Sequence, residues 1–215
     1  MTTIVFKDGQ VKITTERLLL RSINESDRGN YRSLFGNTTD MENYGDGTIW
    51  EPEVVDRCFD MWLERWSREK TDPLSAFAIF LKDGTFIGHI VLGHGSKSCA
   101  ALAIILHYEY WRQGYGKEAV IAMLEYAVEL NTQGLLKEER KDGTLIPITQ
   151  ISATYDKSNT ASVRIAELIA ERCGSHLSDV STDVMCEYRG KELPKTSITI
   201  GVESLQHALS STLKM

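Results

Sequence analysis

The sequence has no cysteine pairs at the close spacing of a zinc or redox motif. Its four cysteines stand far apart along the chain, at Cys58, Cys99, Cys173 and Cys186. We therefore expect buried, reduced thiols and no metal site. At 215 residues the chain is long enough to bury a core without disulfides or metal.

Long apolar runs are also missing. No stretch approaches the roughly 20 apolar residues that a membrane-spanning helix needs. The N-terminus carries Lys7, Asp8 and Lys12 and lacks the apolar core of a signal peptide. These two features predict a cytoplasmic protein.

An excess of positive charge is absent as well. The chain has 24 basic and 30 acidic side chains, for a formal net charge of -6. This balance argues against nonspecific binding to nucleic acid or to an acidic membrane surface. The expected partner is small or basic, and the composition leaves open a monomer or a homodimer.

Repeats, low-complexity tracts and clear linkers are absent, which favours one domain. We predict an extension over residues 1–12 with a strand at Ile4–Phe6, a single domain over 13–202, and a tail over 203–215 with a short helix. A polar, irregular stretch at 131–147 is interpreted as an insertion, in which Lys141-Asp142-Gly143-Thr144 indicates a hairpin.

The first half of the chain indicates short strands and amphipathic helices. The predicted strands are 18–21, 75–82, 85–92 and 100–107, and the predicted helices follow Asn24 and Pro52. Asp83-Gly84 is typical of a type I′ hairpin, so the strands on either side should be antiparallel. The second helix has an apolar face that we expect to pack in the core, at Val55, Cys58, Phe59, Trp62 and Trp66.

The second half adds a parallel strand pair. A helix predicted over 115–130 separates the strand at 100–107 from one at 148–155, which suits a parallel crossover. Asp156–Asn159 caps a further helix that ends near Gly174, and strands follow at 184–188 and 197–202. The pattern predicts an α/β (α+β) fold with a mixed, mostly antiparallel sheet flanked by helices.

The stretch from Ala101 to Ala119 runs from an apolar strand through an aromatic turn into a helix. Gly114 and Gly116 stand where the strand gives way to the helix, with Arg112 and Lys117 beside them. Backbone N–H groups at the positive end of a helix dipole bind anions, and this arrangement suits a diphosphate.

Two other interpretations of this turn exist. Gly114–Ala119 matches the loose dinucleotide pattern GxGxxG/A, but a Rossmann unit would place it early and put an acidic residue about 20 positions later. Antiparallel strands precede it here, and Gln133 and Gly134 occupy the later position. Alternatively, the glycines only shape a strand-to-helix turn.

Four motifs follow one another along the chain, at Thr15–Arg21, Phe86-Ile87-Gly88, Glu109-Tyr110-Trp111 with Gly114–Ala119, and Asn159–Ser162. In this order and spacing they resemble the GNAT superfamily of N-acetyltransferases, and most of all its RimJ and RimL ribosomal-protein branch. The resemblance covers about residues 13–172.

The resemblance implies an acetyl-CoA-dependent enzyme that acetylates a primary amine, on a protein N-terminus or a small molecule, by direct transfer in a ternary complex. A splayed strand would hold the pantetheine through the backbone of Ile104, Ile105 and Leu106. The turn would hold the CoA diphosphate through Arg112, Gln113, Gly114, Tyr115, Gly116 and Lys117. Asn159 would face the CoA arm, and Ser162 would face its sulfur.

Three departures from that branch bear on the acceptor. His107-Tyr108 replaces a common Asp-Pro, Cys173-Gly174-Ser175 replaces a usual Gly-Phe, and the insertion at 131–147 is longer than the usual link. The fold prediction is independent of these differences, whereas the acceptor is not fixed by the resemblance.

Acetyl transfer needs a proton for the thiolate and a neutral amine. The acid candidates are Ser162 and Tyr155. His107 is the leading base candidate because histidine titrates near neutrality; Glu109, His89 and His94 are secondary, and a base acting through water or no dedicated base also satisfies the chemistry.

The second helix carries acidic residues that form a solvated face or receive a cationic acceptor, at Glu53, Asp56, Asp60 and Glu64. A non-catalytic acyl-CoA-binding or interaction protein on the same fold is the alternative function.

Overall fold

The computed structural model describes residues 2–67, 73–95, 98–140, 142–173, 177–188 and 191–212. The chain forms two compact units. The first comprises Met1–Leu92 and Ile104–Met123, and the second comprises Gly93–Ala103 and Leu124–Met215.

Antiparallel strands form the sheet of the first unit. Strands that are neighbours in this sheet are also consecutive in the chain, and the four pairs from the first strand to the fifth are antiparallel. The strands are β1 (Thr3–Lys7), β2 (Gln10–Thr14), β3 (Leu18–Ser22), β4 (Ala76–Leu81) and β5 (Phe86–His94), followed by β6 (Cys99–Leu106). β5 and β6 each run from one unit into the other.

The two Asp-Gly turns differ from the prediction. Asp8 and Gly9 have φ angles of 51° and 73°, which is the type I′ geometry, and they join β1 to β2 where only one strand was predicted. At Asp83-Gly84 only Gly84 has a positive φ, 91°, so the type I′ prediction is wrong there. The Asp83 carboxylate accepts the Thr85 N–H at 2.9 Å, which favours a type I turn followed by a glycine.

The helices of the first unit are α1 (Arg28–Phe35), α2 (Thr38–Met41) and α3 (Pro52–Arg65). A 3₁₀ turn with a capping box at Asn24 precedes α1, as the sequence predicted. The short α2 was not predicted. It begins because the Asn37 side chain accepts the N–H groups of Thr39 and Asp40.

Aromatic residues of α1 and α3 fill the core of this unit. The ring centroid of Tyr31 lies 5.0 Å from that of Phe59 and 5.2 Å from that of His89. Val55, Phe59, Trp62 and Trp66 are buried, so the predicted core packing of α3 is confirmed, although Cys58 is partly exposed.

The second unit contains the parallel strand pair. Its sheet order is β6, then β9 (Gln150–Tyr155), β11 (Lys191–Gly201) and β10 (Leu177–Tyr188). β6 and β9 are parallel, which confirms the crossover, and the other pairs are antiparallel. The helices are α4 (Tyr115–Thr132), which begins in the first unit, α5 (Thr160–Cys173) and α6 (Val202–Thr212).

The insertion forms the predicted hairpin, from β7 (Lys137–Glu139) and β8 (Leu145–Pro147). β10 and β11 are longer than the sequence indicated. The stretch 191–195 is polar and contains Pro194, which lacks an N–H donor. This part of β11 pairs with β10 alone, since its ladder with β9 begins at Thr196, so a proline is tolerated there.

The mixed, mostly antiparallel sheet flanked by helices confirms the predicted fold class. None of the helices in the described ranges has the length and apolarity to cross a bilayer. Cys58, Cys99 and Cys186 carry reduced thiols; Cys99 is buried as predicted and the other two are partly exposed. The Cys173 side chain lies outside the described part. The domain boundaries stay a prediction.

Candidate active site

A strand-to-helix turn lies between β6 and α4 in the first unit. After Leu106 the chain forms a 3₁₀ turn at Tyr108–Tyr110, and Arg112 and Gly114 then adopt positive φ angles of 60° and 83°. The indole N–H of Trp111 donates to the Leu106 carbonyl at 2.8 Å. The side chain thereby holds the turn against the end of its own strand.

The first turn of α4 presents backbone donors. Glu118 N–H donates to the Gly114 carbonyl at 3.1 Å. The N–H groups of Tyr115, Gly116 and Lys117 precede that bond, so they point out of the positive end of the helix.

Two cations stand beside these amides. Arg112 and Lys117 are both exposed, and within the described part of the chain neither forms a salt bridge. Outward amides with unpaired cations next to them fit the chemistry of a diphosphate.

Arg17 braces this turn from the segment between β2 and β3. Its Nε donates to Glu118 Oε2 at 2.7 Å, and its Nη1 donates to the Gln113 carbonyl at 2.9 Å. The guanidinium also lies 4.6 Å from the centroid of the Tyr115 ring. Arg17 had no role predicted from the sequence, although the motif Thr15–Arg21 contains it.

Glu118 completes this brace. Its Oε1 accepts the Thr15 hydroxyl at 2.6 Å and the Arg17 N–H at 2.9 Å. Burial raises the pKa of the Glu118 carboxyl, but the hydrogen bonds from Thr15 and Arg17 lower it by more, so the pKa lies below its ordinary value. The carboxylate is therefore ionised at neutral pH.

The end of β6 is shaped by a close approach of β5. A Cβ added at Gly88 would lie 2.3 Å from the Ile105 carbonyl oxygen, so only glycine fits there. Ile104 is partly exposed, whereas Ile105 and Leu106 are buried. The Leu106 carbonyl already accepts the Trp111 indole. Pantetheine contacts at these three residues stay a prediction.

His107 follows β6 directly and contacts a buried carboxylate. Its Nδ1 lies 2.6 Å from Asp40 Oδ2, and the adjacent Tyr108 N–H donates to Asp40 Oδ1 at 2.6 Å. Asp40 cannot be recognised from the sequence because it lies 67 residues away from His107, in the unpredicted α2. Glu109 lies exposed on the 3₁₀ turn, and its carbonyl accepts the Gln113 side chain.

The two secondary histidines lie elsewhere. His89 is fully buried in the aromatic core with its Nδ1 2.9 Å from the Tyr31 hydroxyl, and burial lowers its pKa to about 3. A neutral, enclosed imidazole is poorly suited to receive a proton from an acceptor amine. His94 is exposed at the end of β5, in the second unit.

The acid candidates belong to the second unit. The Asn159 side-chain oxygen accepts the Ser162 N–H at 3.1 Å, so the structure brings these two residues together at the start of α5. Within the described residues, the partly exposed Ser162 hydroxyl makes no hydrogen bond. Tyr155 lies at the end of β9, and burial together with the charge of Glu167 raises its pKa, so it stays protonated at neutral pH.

Arginines of α1 form ion pairs with two of the acidic side chains of α3. Arg32 Nη2 lies 2.6 Å from Asp56, and Arg28 Nη2 lies 2.6 Å from Asp60. A cationic acceptor would have to displace these arginines. Asp56 and Asp60 therefore act first as ion-pair partners between two helices.

Comparison with known proteins identifies the family. The family described as acetyltransferase (GNAT) domain matches residues 17–174. No curated protein matches the chain. The three solved structures described next are each less than 25% identical to the chain, so they support the fold alone.

Three of these structures illustrate the similarity. A GNAT-family acetyltransferase from Bacillus anthracis is 18% identical with a TM-score of 0.62, over 89% of this chain and 99% of that chain. Spermidine N-acetyltransferase from Vibrio cholerae, in complex with CoA and spermine, is 16% identical with a TM-score of 0.61, over 89% and 99%. Ribosomal-protein-S5-alanine acetyltransferase from Vibrio fischeri is 14% identical with a TM-score of 0.63, over 89% and 97%.

The family match spans more than half of the chain and includes β3, the turn at 107–117 and the start of α5. It confirms the family that the sequence motifs predicted. The chain belongs to the GNAT acetyltransferase family.

Proposed function

We propose that the protein is an N-acetyltransferase that moves an acetyl group from acetyl-CoA directly to a primary amine within a ternary complex. The observation that carries this proposal is the turn at 112–117, where outward amides and the unpaired Arg112 and Lys117 offer a diphosphate site. Acetyl-CoA is the co-substrate in this family, and it supplies the acetyl group as a thioester.

The reaction forms a bond from the amine nitrogen to the acetyl carbon and breaks the carbon–sulfur bond. His107 takes the proton that the amine nitrogen loses, and Ser162 supplies a proton to the sulfur, which leaves with the bonding electron pair. Tyr155 is the competing acid. Much of the rate comes from holding the two reactants together, which contributes up to about 7–11 kcal/mol in well-oriented systems.

The acceptor belongs to one of two classes. The resemblance to the RimJ and RimL branch supports a protein N-terminus, and the fold is shared with enzymes for a ribosomal protein and for spermidine. The paired state of Asp56 and Asp60 disfavours these carboxylates as a polyamine site. A peptide N-terminal amine is the acceptor we favour.

A thiol-release screen tests the activity. Purified protein and acetyl-CoA are incubated with peptides of varied N-terminal residue, polyamines, aminoglycosides and amino acids, and free CoA thiol is followed with time. We expect amine-dependent release with at least one peptide. Binding of CoA without release for any amine would support the alternative, a non-catalytic acyl-CoA-binding protein.

The diphosphate site is tested separately by binding. A hundredfold excess of acetyl-CoA over its Kd should stabilise the fold by about 2.7 kcal/mol, seen as a raised Tm. Arg112→Gln and Lys117→Gln should each weaken acetyl-CoA binding about fivefold, because each loses about 1 kcal/mol of exposed ion pairing. Acetyl-pantetheine lacks the diphosphate and serves as the control ligand, whose affinity both variants should leave unchanged.

A further inference from the structure

We propose that Asp40 is a positioning residue that holds His107 in the tautomer required of a general base. The inference rests on the proposed N-acetyltransfer and names a residue that the sequence argument did not consider. It starts from two contacts of 2.6 Å, from Asp40 Oδ2 to His107 Nδ1 and from Asp40 Oδ1 to the Tyr108 N–H.

The carboxylate selects the tautomer. An ionised carboxylate only accepts hydrogen bonds, so the imidazole nitrogen that faces it must carry the proton. The Nδ1–H tautomer leaves the lone pair on Nε2, which is the atom that can take a proton from an amine. A buried aspartate holds the base histidine in the same way in the Ser-His-Asp triad of hydrolases.

Both partners are held on fixed backbone. Asn37 accepts the N–H groups of Thr39 and Asp40, which sets the four-residue helix that presents the carboxylate. The His107 N–H donates to the Ile87 carbonyl at 2.9 Å, and its ring packs edge-on against Phe86 with a centroid distance of 5.8 Å. Turning the Asp40 carboxylate away would break its bond to the Tyr108 N–H, and turning the imidazole away would lose its contact with Phe86.

The side chains of Asp40 and His107 differ in solvent exposure, as a positioning residue and a base should. The Asp40 side chain is 0% exposed, while the His107 side chain retains 19%. The imidazole therefore reaches the surface and the carboxylate does not. Within the described residues, His107 makes its side-chain hydrogen bond to Asp40, which leaves Nε2 for a substrate.

A purely structural role predicts something different. If Asp40 served only to fix the turn, its bond to the Tyr108 N–H would be the important contact, and the imidazole tautomer would not matter. Asp40→Asn separates these cases. Its amide oxygen can still accept the Tyr108 N–H, while its NH₂ group faces His107 Nδ1 and forces the proton onto Nε2.

The experiment measures tautomer and turnover on the full-length chain. Imidazole ¹⁵N chemical shifts report which nitrogen of His107 is protonated, and rapid-mixing single-turnover assays report acetyl transfer. We expect Nδ1–H in the wild type, Nε2–H in Asp40→Asn, and about a hundredfold slower transfer in the variant. The KM for acetyl-CoA should be unchanged.

Two further variants sharpen the test. Asp27→Asn is the matched control, because Asp27 is also a buried carboxylate but pairs with Arg21, and it should leave tautomer and transfer rate unchanged. His107→Gln should be as slow as Asp40→Asn, and combining the two should add no further loss, since both remove one base.

Two results would overturn the inference. One is an unchanged transfer rate in Asp40→Asn despite a switched tautomer, and the other is a tautomer that does not respond to the substitution. The tautomer measurement needs no acceptor. Lack of turnover by the wild type with every amine would therefore contradict the proposed function alone, while the spectra would still decide whether Asp40 positions His107.

Discussion

Arg17 donates to the carboxylate of Glu118 at 2.7 Å, although the two residues are 101 positions apart in the chain. The same guanidinium reaches the Gln113 carbonyl and covers Tyr115, so one side chain joins the start of β3 to both sides of Gly114. The turn at 112–117 is thereby held in place before a ligand arrives, which would reduce the entropy lost if a diphosphate binds there as proposed.

Replacing Arg17 by lysine should weaken the cofactor site while keeping its charge. Lysine lacks the planar fork that contacts Glu118 and Gln113 together. Because the Arg17 side chain is 43% exposed, we expect a modest loss of about 1 kcal/mol, or about a fivefold higher Kd for acetyl-CoA by calorimetry. Arg57→Lys on the exposed face of α3 is the control, and equal affinities for the two variants would contradict the brace.

Gly88→Ala should destabilise the fold. The new methyl group would meet the Ile105 carbonyl at 2.3 Å, and backbone cannot move aside as a side chain can. We expect a loss of about 2 kcal/mol in urea unfolding, in the range of overpacked cores. Gly29→Ala has nothing within 4 Å of its new Cβ and should be neutral or stabilising, so a similar loss in both variants would show that the contact is unimportant.

His89 should make stability depend on pH. Burial lowers its pKa to about 3 from the ordinary 6.5, so the unfolded chain binds a proton in this interval that the folded chain does not. Stability should therefore fall as pH falls below 6.5, by at most about 1.4 kcal/mol per pH unit from this group. His89→Gln offers Tyr31 a polar partner without titrating.

Urea unfolding at a series of pH values between 7.5 and about 5 checks this prediction, above the range in which most carboxylates titrate. The free energy of unfolding of His89→Gln should change less steeply with pH than that of the wild type. Parallel curves for the two proteins would mean that His89 is protonated equally in both states.

Ser162→Ala should slow acetyl transfer more than it weakens CoA binding. Removing a general acid typically costs about 10²-fold or more in rate. Ser158→Ala, an exposed serine just before α5, is the matched control, and Tyr155→Phe removes the competing acid. Single-turnover measurements ensure that chemistry is observed, and an unchanged rate in Ser162→Ala would exclude it from the mechanism.

The sequence predicted those elements whose signals are local. Asn24, Pro52 and Asn159 mark helix starts that the structure places at the predicted points, because a cap or a proline acts within one turn. The first part of β11, which contains Pro194, escaped prediction because its tolerance of proline depends on which neighbouring strand pairs there. The Asp83-Gly84 turn was assigned the wrong type because an Asp-Gly pair fits both a type I′ turn and a type I turn followed by a glycine. The hydrogen bond from the Thr85 N–H to the Asp83 carboxylate favours the second geometry.

In the candidate site, too, the residues close together in the chain were predicted and the distant ones were not. The glycine turn and its cations follow one another in the chain, so their spacing alone indicated an anion site. Asp40 and Arg17 act on that turn from 67 and 96 positions away, and no periodicity links residues so distant. Such partners come together only in the folded chain, where Arg17 contacts the turn from just before β3 and Asp40 contacts it from α2.

The bond from the Trp111 indole to the Leu106 carbonyl spans five positions of the chain. Because the indole reaches back over the loop that precedes it, adding or deleting one residue between Leu106 and Trp111 would move the indole away from its acceptor. The bond therefore constrains the length of the segment 107–110 but not the residue types within it.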